Sequence, residues 1–171
     1  KKIPFNYAEP DDASIKNSVI QAGYSDRELL FFYGLRQIPQ FIRQGINDER
    51  TIKLRLLRYL EHAGTRRLKV EQPLMSLEEF EKIFFTKLSR KVDYLRVDTE
   101  LVSPRVDHRP EWSNRMSYQV GEARERHIAK MIEERVNEFQ HVLIVYGSGH
   151  LVKERVALQK AFGGVKNFKL Y

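Results

Sequence analysis

Hydrophobic positions recur at three- and four-residue spacing through the first sixty residues, the period that gathers side chains on one face of an α-helix. Asp11 and Asp12 can cap a short helix carrying Ile15, Val19 and Ile20, which Gly23 ends. Ser25 with Glu28 forms a capping box. Leu29, Leu30, Phe32, Tyr33, Leu35 and Ile38 then make a broad apolar face, and Pro39 predicts a kink before the helix ends near Arg43. Asp48 opens a third helix, in which Ile52, Leu56, Leu57 and Leu60 share a face until Gly64 stops it. His62 sits in its last turn, where the helix dipole favours an imidazole. The aromatic runs Phe31–Tyr33 and Phe84–Phe85 read as core.

Beyond Gly64 the pattern changes. Arg66 to Val70 predicts a short strand, and a second capping box, Ser76 with Glu79, precedes a helix carrying Phe80, Ile83, Phe84 and Leu88. Alternation from Val92 to Thr99 predicts another strand. A loop with Pro104 and Pro110 follows from Val102 to Trp112. Next come a long helix over Ser117–Phe139, an apolar strand Val142–Tyr146, the Gly147–Gly149 turn, a helix Leu151–Phe162 and a last strand from Val165. This order predicts an α/β fold, with a mostly parallel or mixed sheet, flanking helices and an N-terminal helical segment. One domain over residues 1–171 is expected, helical over 1–64 and α/β over 65–171.

Composition changes this picture little. The 171 residues are enough for one core without staples, and the lack of cysteine excludes disulfides and thiol chemistry. The net charge of +7 comes from lysines and arginines spread from Lys1 to Lys169, so no nucleic-acid partner is expected. Val142–Tyr146, the longest apolar run, falls far short of the roughly 18 to 20 residues of a spanning helix, so no transmembrane segment is expected. The sequence shows no leader peptide, and with Lys1 as its first residue the compartment stays open, export included.

Chemistry is densest at Gly147-Ser148-Gly149-His150. A loop leaving an apolar strand for a helix offers backbone N–H groups and a helix N-terminus to an anion. His150 at its rim can act as metal ligand or acid/base, and Tyr146 stands just before it. The alternative is a tight turn whose Ser148 or His150 caps the helix. The lysine of a P-loop is absent after these glycines. On the preceding helix Val120, Arg124, Ile128, Met131 and Arg135 share a face, with His127 beside them. An arginine on an apolar stripe needs an acceptor, which a substrate carboxylate, a phosphate or a structural Asp or Glu would each supply. Asp98 and Glu100, two apart on the expected strand, could join Asp107 and His108 around a metal, or be ordinary surface charge.

The stretch Glu122 to Leu151, EARERHIAKMIEERVNEFQHVLIVYGSGHL, resembles the C-terminal signature of the TraB/Tiki superfamily and its ChaN-like relatives. Arg124 and Ala129 match the family's R-x-x-x-x-A helix element, and Gly147 with His150 matches its G-x-x-H element. The resemblance covers about 30 residues. It implies an α/β fold with two G-x-x-H motifs, a glutamate and an arginine in one site, and a helical insertion between two halves. It also implies metal-dependent proteolysis in some members and haem binding in ChaN-like ones. Only one G-x-x-H occurs in these 171 residues, so half of the implied site is either lost from this chain or supplied upstream, in which case the chain would be the C-terminal part of a larger TraB-like domain.

Three functional expectations follow. The first is a metal-dependent hydrolase with Mn or Zn on His150, catalysis by His150 and Arg124, and a peptide or small anionic ligand held by Gly147, Ser148, Gly149, Tyr146 and His127. The second is a module binding haem or an anion through His150, Tyr146 and Arg124 without turnover. The third is a catalytically dead or truncated interaction domain, self-association included, acting through the apolar face of the Ser25–Arg43 helix.

Overall fold

Every regular element in the computed structural model, which describes residues 9–70, 74–104, 110–139 and 142, is helical. The chain divides into two compact units, one of residues Asp11–Gly121 and one of Lys1–Pro10 with Glu122–Tyr171.

Local sequence accounts for the helix starts. Asp11 caps α1 (Asp12–Gln21), its Oδ1 accepting the Ser14 amide at 2.7 Å. α2 (Asp26–Arg43) opens with both bonds of the capping box: the Glu28 amide donates to Ser25 Oγ at 3.1 Å, and the Ser25 amide to Glu28 Oε2 at 2.8 Å. Pro39 does not interrupt this helix, which continues to Arg43. Asp48 caps α3 (Glu49–His62) and Ser76 caps α4 (Leu77–Leu88). At α4, however, the Glu79 carboxylate binds the Arg27 guanidinium of α2, Arg27 Nε donating at 2.9 Å.

α2 is the centre of its unit, packing against α1, α3 and α4. Leu29, Leu30, Phe31, Leu35 and Ile38 are fully buried, and the Phe31 ring lies 4.7 Å from Phe80 and 5.6 Å from Trp112. A Cβ on Gly34 would come within 2.7 Å of Leu60 Cδ2, so glycine there lets α3 approach. The apolar face expected to meet other proteins is therefore the core of α2's own unit.

The α/β expectation does not hold, since the described residues contain no strand and the fold they form is all-α. Gly64 does not stop α3. The helix widens into a π-helical turn, Ala63–Leu68, and reverses at Lys69, whose φ is 48°. Gly64 instead serves packing, for a Cβ there would meet Val70 Cγ2 at 3.1 Å and Leu74 Cδ2 at 3.3 Å. The Val70 amide returns to the Gly64 carbonyl at 2.9 Å, so the segment expected as a strand spends its hydrogen bonds on its own helix end. Residues 92–99 likewise form turns. Asp93 Oδ1 accepts the Leu95 amide at 3.1 Å and the Asp93 carbonyl accepts the Arg96 amide at 3.0 Å. Tyr94 and Val97 are buried there, three apart rather than two.

α5 (Trp112–Glu138) starts five residues before the expected Ser117. Asn114 organises the approach, its Nδ2 donating to the carbonyls of Glu100 at 2.9 Å and Ser103 at 2.8 Å while its Oδ1 accepts the Glu111 amide at 3.1 Å. Residues 112–121 belong to the helical unit, where Trp112, Met116 and Val120 join the core. The expected strand Val142–Tyr146, the glycine turn, the helix Leu151–Phe162 and the strand from Val165 lie outside the described residues, save residue 142.

Candidate functional site

Residues 122–138 of α5 present the described part of the site. Ala123, Ile128 and Ile132 are buried, which sets the apolar stripe one position to the side of the expected Arg124, Met131 and Arg135. Arg124 lies half-buried at the edge of that stripe, where its stem can follow apolar surface while the guanidinium reaches a polar partner.

That partner is a carboxylate of the chain itself. Arg124 Nε donates to Glu9 Oε2 at 2.9 Å and Nη2 to Glu9 Oε1 at 2.6 Å, the parallel pair of bonds by which a guanidinium fork reads a carboxylate. Both residues belong to the unit of Lys1–Pro10 and Glu122–Tyr171. The Glu9 side chain keeps 47 % of its surface exposed and Arg124 30 %. Of the three acceptors open to this arginine, the structural glutamate holds it here. Sequence spacing could show that Arg124 needed an acceptor, but not one 115 residues away.

His127, three residues on and close to the same side of α5, is half-buried. Tyr146, Gly147, Ser148, Gly149 and His150 lie outside the described residues. Among the described residues no three His, Asp or Glu side chains gather to hold a metal ion.

Asp98 and Glu100 do not form the expected pair on one strand face. Asp98 Oδ1 accepts the Leu101 amide at 3.0 Å and so starts the 3-10 turn Glu100–Val102, to which Glu100 itself belongs. Asp107 and His108 lie outside the described residues. No described helix is long and apolar enough to cross a membrane, as the hydrophobic pattern led one to expect.

Compared with family models, curated proteins and solved structures, the chain matches none.

Proposed function

We propose that the unit of Lys1–Pro10 and Glu122–Tyr171 carries a metal-dependent hydrolase site of TraB/Tiki type, acting on a peptide or a small anionic substrate. The observation that carries this reading is the Arg124 fork closed on a carboxylate, in the same unit of the chain as the one G-x-x-H sequence. The interposition of the helical residues Asp11–Gly121 between the two parts of that unit also fits the helical insertion implied by the family resemblance.

In this reading Arg124 binds and orients an anionic group by exchanging Glu9 for it, two charge-assisted bonds being replaced by two of the same kind. His150 holds the metal or moves a proton, and Gly147 and Gly149 let the backbone come close to the ligand. A bound Mn or Zn ion would supply an activated water. A binding module without turnover, of the ChaN-like kind, draws on the same fork and differs at His150.

The test is hydrolysis of a mixed peptide panel by the whole chain with Mn or Zn and with chelator. Metal-dependent cleavage, reduced at least tenfold in both His150→Ala and Arg124→Ala, supports the hydrolase. Carboxylate binding that Arg124→Ala abolishes, with no cleavage under any metal, replaces it with the binding module.

A further inference from the structure

The basic residues are spread along the chain, but the charge imbalance is not. Residues 36–69 contain nine basic side chains (Arg36, Arg43, Arg50, Lys53, Arg55, Arg58, Arg66, Arg67 and Lys69) against three acidic ones (Asp48, Glu49 and Glu61), a net of +6. The rest of the chain, with 21 basic and 20 acidic residues, accounts for only +1 of the total +7. This segment is the C-terminal half of α2, the link to α3, α3 itself and the π-helical turn after it.

The fold sorts these charges. Lys53 is turned toward Glu49 at 2.7 Å and Glu81 at 3.4 Å, and Arg67 binds Asp12 at 2.8 Å, so both are spent inside the unit. Arg50, Arg55 and Arg58 are exposed, and among the described residues none of the three has a carboxylate within ion-pair distance. Arg55 instead reaches the Gln44 amide oxygen at 3.5 Å. Arg50, Leu54 and Arg58, four residues apart, share the face of α3 opposite the fully buried Ile52, Leu56 and Leu60. Leu54 leaves 49 % of its surface in water between the two arginines.

We propose that the α2–α3 hairpin docks on an anionic lipid surface through this face, independently of the chemistry at Arg124 and His150. Guanidiniums flanking an exposed leucine are what a helix lying in the headgroup layer presents, the cations to lipid phosphates and the leucine to the acyl boundary. A single-stranded nucleic acid would need rings for base stacking, and the side chain exposed between these arginines is aliphatic. The contact is peripheral, in keeping with the absence of a spanning helix among the described residues.

The test is sedimentation of the whole chain with vesicles of phosphatidylcholine alone or mixed with phosphatidylglycerol. The chain is expected to bind the mixed vesicles and not the neutral ones, and to be released by salt. At about fivefold per surface cation, Arg50→Gln with Arg58→Gln should lower partitioning about 25-fold. Leu54→Ser should weaken binding, whereas Arg96→Gln, an exposed arginine outside the hairpin, should not change it. The substituted side chains are exposed, and unchanged thermal melting would show that each variant folds. Equal binding to neutral vesicles, or no loss in the double variant, overturns the proposal. So does tighter binding of an RNA oligonucleotide that the same double variant abolishes.

Discussion

Arg124 shows what a single residue can tell from sequence and what it cannot. Its expected place on an apolar stripe, at whose edge it lies in the fold, demanded an acceptor, because a guanidinium drawn toward a core without one is unstable. That Glu9 meets the demand is a property of the folded chain. The exposed half of the pair makes a prediction: Glu9→Gln should cost at most about 1 kcal/mol of stability, as for other partly solvated ion pairs. It should also tighten the binding of a small dicarboxylate, since the competing charge is gone. Arg124→Lys keeps the charge but loses the fork, and should abolish that binding. Titration calorimetry on the two variants checks both; unaltered affinity in both would make the pair purely structural.

Tyr33 is a second residue with a readable consequence. Burial, with the charge of Asp12 adding to it, pushes its hydroxyl up to about 12. A folded pKa above the unfolded value favours the neutral form in the fold. This stability is fully present below pH 10 and is lost as pH rises from 10 toward about 12. Urea melts across that range should show a fall that Tyr33→Phe lessens, the remainder coming from Tyr59 and Tyr94, whose hydroxyls burial also raises.

At the scale of elements, the helix starts were legible because a cap is local. Ser25 and Glu28 need only each other, and Ser25→Ala should cost about 1 kcal/mol in denaturant melts. Burial raises the Glu28 carboxyl, but the Lys87 ammonium and the Ser25 amide and hydroxyl outweigh that and hold it below its ordinary 4.5. A depressed folded pKa contributes stability above the unfolded value and loses it as pH falls through the folded one. The acid limb of the stability profile below pH 4.5 should therefore flatten in Glu28→Gln. The strands were misread because alternation of side chains is only half of a strand; the other half is a neighbour for its backbone. Leu68 and Val70 alternate into the core, yet the Val70 amide is taken by Gly64. In residues 92–99 the short Asp93 side chain closes a turn that a period-two pattern cannot see. Gly64 and Gly34 carry a related lesson: both are glycine because neighbouring side chains fill the space of a Cβ. Gly34→Val should destabilise the unit by about 2 kcal/mol through overpacking.

For the whole molecule, the positive charge is a property of one segment, residues 36–69, which a count along the full chain conceals. The division into a helical unit and a unit made from both ends of the sequence was equally hidden, because periodicity carries no information on which distant segments associate. The G-x-x-H sequence was legible as a motif, and in the proposed hydrolase it would hold a metal. The most direct test is the metal and haem content of the purified whole chain, by elemental analysis and absorbance, beside its His150→Ala variant. For the proposed hydrolase, near-stoichiometric Mn or Zn that disappears in the variant is expected. A chain that stays empty after reconstitution and melts at the same temperature as the variant, or one that takes up haem instead, would contradict it.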